Sequence, residues 1–207
     1  MRIDVSEWER FRPQSHQLVW RKTLGVIGFG AIDLRVGKIG RLAFNMDLLV
    51  ADPFIIPETG EALGGRLVAL DAVLRAADVI SVHVPLSPAT RHPLGGRELR
   101  LMKPTAILVN TARGTVINEA ALIQCLQDGV SAGAGLDVFE VEPLSADSPL
   151  RRMKNVVVVP HIDTCPEASV RMGAVGVENV ARFLRGEKPM RIVNPAYIVA
   201  LASRAIP

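Results

Sequence analysis

Thr23-Leu24-Gly25-Val26-Ile27-Gly28-Phe29-Gly30-Ala31-Ile32-Asp33 is the stretch that decides the fold. An apolar run of strand length (23–28) stops at a glycine, and helical spacing takes over through 31–44. Gly28 and Gly30 permit a tight strand-to-helix turn and let backbone N–H groups come close to a pyrophosphate at the helix N-terminus. The dinucleotide fingerprint G-x-G-x-x-G/A wants a third small residue where this chain has Asp33. An aspartate there adds bulk where helix and strand should pack closely, and brings negative charge toward the phosphates. Asp52 closes the second strand, 24 residues after Gly28. An acid there accepts hydrogen bonds from ribose hydroxyls and repels a 2′-phosphate, which favours NAD over NADP; the plain alternative is a turn-forming Asp-Pro.

Outward from this turn the chain alternates strand and helix. Further strands are predicted at 47–51, 79–84, 106–109, 132–136 and 156–159, with 67–70 as a possible short third strand. Asp71 is placed as the N-cap of a helix through Ala77. Pro85 closes a strand, and Pro88 is expected to keep the next turn non-helical. A short helix is expected around 97–102. Asn118-Glu119 opens a helix at 120–127 that Asp128-Gly129 ends. The last helix follows Pro166-Glu167 and runs to about Leu184 before Arg185-Gly186. The helix from Ala31 looks one residue longer than usual, to be absorbed by a bulge or a shifted helix end. This order predicts an α/β fold, a doubly wound parallel sheet of Rossmann type.

Three polar motifs follow strands. They are Val109-Asn110-Thr111-Ala112-Arg113-Gly114, Gly135-Leu136-Asp137-Val138-Phe139-Glu140-Val141-Glu142-Pro143 and Val159-Pro160-His161. Ligands of open parallel sheets bind outside the carboxyl ends of the strands, so Arg113, Glu142 and His161 should share one crevice. A guanidinium able to grip a carboxylate, beside a His–Glu pair, suits a small 2-hydroxy or 2-oxo acid. Taken singly, such an Arg is usually a surface ion pair, such a Glu a solvated loop residue and such a His locally hydrogen-bonded. Their joint placement favours a shared site.

Composition narrows the class. The 207 residues are 49% apolar and 22% charged, with a net charge of +3. That excess is too small and scattered to argue for nucleic acid, despite a pI near 9.2. Apolar runs fall far short of the roughly 20 residues that cross a bilayer, so no membrane role is expected. The first residues lack the apolar core of a signal peptide. Cys125 and Cys165 have no metal-ligand spacing, no metal is expected, and a reduced, cytoplasmic setting is the economical reading. The basic cluster Arg151-Arg152-Lys154 reads as a solvated loop, and Asp128 as a helix cap.

From Thr23 to Pro195 the chain resembles the nucleotide-binding domain of the D-isomer-specific 2-hydroxyacid dehydrogenases. Besides the motifs above, the resemblance rests on His83-Val84-Pro85-Leu86-Ser87-Pro88, Leu101-Met102-Lys103-Pro104, Asn179-Val180 and Val193-Asn194-Pro195. It implies NAD as cofactor, with Arg113 on the substrate carboxylate and His161 handling the proton at the substrate oxygen. Glu142 would hydrogen-bond His161, fix its tautomer and stabilise the imidazolium. Asp137 would face the nicotinamide side, while Gly28, Gly30, Ala31, Ile32, Pro85, Thr111 and Ala112 would line the cofactor cleft. Family members pair through these domains, so a homodimer is implied.

Two further departures accompany Asp33. Asp163 stands two residues after His161, where relatives carry Ala or Gly. Only 22 residues precede the first strand, where relatives place most of a substrate domain. The expected organisation is a lead-in segment at 1–22, the dinucleotide domain at 23–190 and a tail at 191–207 returning toward a largely missing substrate domain. Two functions fit: NAD-dependent oxidation of a small D-2-hydroxy acid (2-oxo acid reduction in reverse), or an NAD-binding or interaction module without turnover. The Arg113–Glu142–His161 set favours the first; Asp33, Asp163 and the short lead-in favour the second.

Overall fold

The computed structural model describes residues 18–54, 64–162, 165–190 and 192. Most of the lead-in segment (1–17), Asp163, most of the loop before Gly64 and nearly all of the 191–207 tail lie outside the described residues. The chain divides into two compact units, 1–161 and 162–207.

In the first unit, β1 (Thr23–Ile27), α1 (Ala31–Phe44), β2 (Asp47–Ala51) and β3 (Arg66–Leu67) are followed by α2 (Leu70–Ala76), β4 (Val79–Val82) and α3 (Gly96–Leu99). Then come β5 (Ile107–Asn110), α4 (Glu119–Gln127), β6 (Gly133–Leu136) and β7 (Val156–Val158). All strand pairs are parallel, in the order β3-β2-β1-β4-β5-β6-β7. The strand order reverses between β1 and β4, and the crevice at such a switch point is where these sheets take ligands.

Central strands are buried on both faces, which is why β1, β2 and β4 read as near-continuous apolar runs. The larger core joins Val73 and Leu74 of α2 and Leu122 of α4 to Ile80, Val82 and Leu108 of the sheet. A smaller one gathers Leu24, Val26, Leu48 and Val50 beside α1. The end of the sheet is pinned by Asp78, which accepts the Thr23 N–H and the Lys103 ammonium, both at 2.9 Å. Burial raises the Asp78 carboxyl, but the Thr23 amide and Lys103 outweigh it and hold the group below its ordinary range.

Local expectations needed correction where side-chain partners differ from those the sequence suggests. The third strand is two residues long, and Leu70 already begins α2. Asp71 does not cap α2: Ala69 holds that position, and Asp71 instead accepts both guanidinium nitrogens of Arg97 at 3.0 Å. Pro88 does not keep its turn non-helical; it starts a 3-10 turn, Pro88–Thr90, as a proline at a first helical position can. The helix expected around 97–102 covers only Gly96–Leu99. By contrast, Asn118 caps α4 through the Ala121 N–H at 2.9 Å.

The second unit contains α5 (Pro166–Leu184), which starts on a proline and carries Glu167–Arg171 and Glu178–Arg182 pairs one turn apart. Asn179 accepts the Met190 N–H at 2.8 Å, folding the segment after the helix back along it. No helix among the described residues is long and apolar enough to cross a membrane.

Candidate active site and cofactor cleft

A cleft of about 770 Å³ opens at the β1/β4 switch point, lined by Gly28, Phe29, Gly30, Asp33, Asp52, His83 and Pro85 among others. Gly28 has φ +92°, and a Cβ there would come within 3.1–3.2 Å of the His83 carbonyl, so both the turn and the close approach demand glycine. Asp52 braces this turn: its two oxygens accept the Phe29 N–H at 2.8 Å and the Phe54 N–H at 2.7 Å. Ala31 and Ile32 form the exposed first turn of α1, next to the cleft wall.

Asp33 behaves differently from what its position suggested. Its side chain is buried and turned inward, and its carboxylate accepts the Gly30 N–H from the third helical position, closing the helix start on itself. Its other oxygen lies 3.2 Å from Nδ1 of His83, whose Nε2 is 2.8 Å from the Ser81 hydroxyl. Burial pushes the His83 imidazole below its ordinary value, and the attraction of Asp33 only partly opposes this. The close helix–strand contact that the missing glycine would supply is made farther along α1, where Gly37 and Gly40 lie against Leu48 and Leu24. α1 ends at Asn45, which adopts φ 50° and whose N–H reaches back five residues to the Gly40 carbonyl.

The second constellation lies at the carboxyl ends of β5, β6 and β7. Asn110, fully buried at the end of β5, accepts the Ala112 N–H at 3.0 Å and donates to the Arg113 carbonyl at 3.1 Å, which fixes the Thr111–Arg113 bend. Gly114 then lies so close to Phe139 that a Cβ would sit 1.9 Å from its carbonyl carbon. This contact locks the Arg113 turn onto the loop that carries Glu142. The exposed Arg113 guanidinium donates to the Ala112 carbonyl at 2.6 Å. Asp137 is buried, with its N–H on the Asn110 carbonyl and its carbonyl accepting the His161 N–H.

Glu142 accepts the Phe139 N–H at 3.0 Å through one oxygen and meets Nδ1 of His161 at 2.8 Å through the other. His161 has φ 52°, a conformation that costs energy for a residue with a side chain and tends to collect at functional sites. The hydrogen bond to His161, then that to Phe139, holds the Glu142 carboxyl below its ordinary range, with the charge of Arg113 adding to this. Arg113 and His161 therefore both act on the Glu142 carboxylate, although 48 residues separate them in sequence. Glu142 and His161 also border a cavity of about 520 Å³ walled by Phe139, Pro143, Leu144 and Val158.

Three contributors escaped the sequence reading. Asn110 was signalled only by an asparagine at a strand end, His83 only by its place before Val84-Pro85. Arg151, read as part of a solvated loop, donates to the Leu144 and Ser145 carbonyls at 2.7 and 2.9 Å and so braces the loop after Glu142. Nothing in its sequence context announces this.

The family model for the D-isomer specific 2-hydroxyacid dehydrogenase, NAD binding domain, matches residues 2–163. A glyoxylate reductase from Aeropyrum pernix is 41% identical over 195 residues, which is 91% of this chain and 58% of that protein. Among solved structures, the holo form of Rhodotorula graminis D-mandelate dehydrogenase superposes with a TM-score of 0.82 at 32% identity, covering 90% of this chain and 56% of that one. An NAD-complexed D-isomer specific 2-hydroxyacid dehydrogenase from Lactobacillus delbrueckii ssp. bulgaricus gives 0.76 at 33% identity, with 86% and 57% covered. The chain thus spans less than two thirds of the length of these relatives.

Proposed function

The chain belongs to the D-isomer specific 2-hydroxyacid dehydrogenase family, as an NAD-binding domain, and from this premise we propose that it serves NAD-dependent interconversion of a small D-2-hydroxy acid and its 2-oxo acid. The observation that carries the reading is the Glu142–His161 pair, with the second Glu142 oxygen held by Phe139 and Arg113 close enough to act on the same carboxylate. With Nδ1 of His161 donating to Glu142, Nε2 is the ring atom that takes the hydroxyl proton of the substrate. The imidazolium so formed is stabilised by the carboxylate, and in the reverse direction it returns the proton to the carbonyl oxygen. Arg113 grips the substrate carboxylate, turning C2 toward the cleft. NAD, held in the cleft at Gly28–Ile32, would supply the hydride acceptor for C2.

The cleft fits a dinucleotide in its glycine turn and in the first-turn N–H groups of α1 at Ala31 and Ile32, which a pyrophosphate would meet. Asp52 would add ribose hydroxyls to the amides it already accepts. Pro85, Thr111, Ala112 and Asp137 would continue the cleft toward the nicotinamide. Residues 23–190 are read as the dinucleotide domain, with 1–22 and 191–207 running to a substrate domain. A homodimer through this domain follows the family habit, and the free thiols of Cys125 and Cys165 suit the cytoplasm. The alternative, a binding module without turnover, draws on one observation: the Asp33 carboxylate already occupies the Gly30 N–H at the phosphate end of α1.

The test is to join the chain to a family substrate domain, in trans or by fusion, and follow NADH oxidation with glyoxylate and larger 2-oxo acids. Turnover that collapses in His161→Ala supports the dehydrogenase. NADH binding without turnover of any 2-oxo acid supports the module.

A further inference from the structure

Two acids, Asp33 and Asp52, line the dinucleotide cleft, and among the described residues no lysine or arginine does. His83 is the one lining group there able to become a cation. Its side chain is 7% exposed and that of Asp33 3%, so the pair sits in a low-dielectric wall directly under the glycine turn. The contacts form one unit. The Asp33 carboxylate bridges the Gly30 N–H and the imidazole, the His83 N–H donates to the Ile27 carbonyl at 2.8 Å, and Gly28 rests on the His83 backbone.

From this arrangement we propose that Asp33 and His83 are positioning residues for the cofactor, a proton-controlled latch in which protonation of His83 strengthens binding of the dinucleotide pyrophosphate. The inference rests on the reading of this cleft as the NAD site. With His83 neutral, a pyrophosphate entering over Gly28–Ile32 meets the carboxylates of Asp33 and Asp52 with only backbone N–H groups, and no side-chain cation among the described residues, to offset them. With His83 protonated, Asp33 is neutralised by an ion pair and the local field turns less hostile to phosphate. The groups against the imidazole are Asp33 from α1 and the uncharged Ser81 from β4, and Asp52 from the end of β2 lines the same cleft. Linkage requires the converse as well: bound pyrophosphate must make His83 easier to protonate.

ADP-ribose is the appropriate probe, since it carries the pyrophosphate but no nicotinamide and so leaves the His161 site out of the measurement. Its affinity for the full chain, measured by calorimetry, should rise on the order of tenfold from pH 8 to pH 6. His83→Gln should flatten this dependence. Asp33→Asn, which keeps an acceptor for the Gly30 N–H but loses the charge, should bind more tightly than the parent at pH 8. In the unmutated protein, NMR titration of the His83 ring should move to higher pH when ADP-ribose is added, a readout that stands even if His83→Gln fails to fold. A pH slope that survives His83→Gln, or a His83 titration indifferent to ADP-ribose, overturns the latch and leaves the cofactor site intact. Failure of both ADP-ribose and NADH to bind at any pH overturns the NAD reading of the cleft and the latch with it.

Discussion

Glu142 does two jobs with two oxygens. One anchors it to the Phe139 amide and the other orients His161, so the imidazole is held by a group that is itself held. In the assembled enzyme, His161→Ala should lower the rate by about 10²–10⁴-fold, the usual worth of a positioned acid–base group. Glu142→Gln should keep the orientation but lose the charge, moving the imidazole limb of the pH–rate profile toward acid; a profile that does not move would separate the pair functionally. Asp52 gives a second test. Asp52→Asn should narrow the preference for NADH over NADPH in binding assays, because it removes the repulsion felt by a 2′-phosphate. It should also weaken NADH binding, since the Phe29 and Phe54 amides lose a charged acceptor. At this scale the sequence disclosed residue types and their places after strands. It could not disclose that the Asp33 side chain turns inward, because that depends on a histidine 50 positions away.

Elements were more legible than their ends. The apolar runs of buried parallel strands and the 3.6-residue spacing of α1 and α5 are periodic signals spread over many residues, and the bounds of α1 and β2 emerged as expected. The misplacements, at Asp71, Pro88, the third strand and the helix expected around 97–102, all fall on short elements. There a single tertiary partner such as Arg97 outbids local capping preference. The joining of elements is where substitutions should bite. Gly114→Ala puts a methyl into the Phe139 backbone and must push the Arg113 turn away from the Glu142 loop. It should lower the melting temperature and damage use of the 2-oxo acid more than NADH binding, since the cleft at Gly28 lies elsewhere in the sheet. Asp78→Asn weakens the clasp that ties β1 to Lys103, and urea unfolding should register a loss of about 1–3 kcal/mol.

For the whole molecule, three of the groups with depressed proton affinity belong to the contacts described above and act in one direction. His83, Asp78 and Glu142 each bind a proton less readily when folded than when unfolded. The unfolded chain therefore takes up more protons on acidification, and stability must fall with pH. The windows differ. The His83 contribution is fully present above its ordinary value of 6.5 and is lost as pH falls from there toward its lowered folded value. Those of Glu142 and Asp78 are present above 4.5 and 3.8 and are lost as pH falls through their own lowered values. Glu142 is 37% exposed, so solvent screening makes its share the smaller of the two carboxylates. Melting temperature against pH should thus decline in two stages, one beginning near pH 6.5 and one below about pH 4.5. His83→Gln should erase the first stage and leave the second, while Asp78→Asn should shrink the second, to which Glu142 still contributes, and leave the first. A single acid transition in the carboxylate range, unaltered by His83→Gln, would mean that burial of the imidazole costs the fold nothing, and would contradict the buried Asp33–His83 pair as the keystone of the turn.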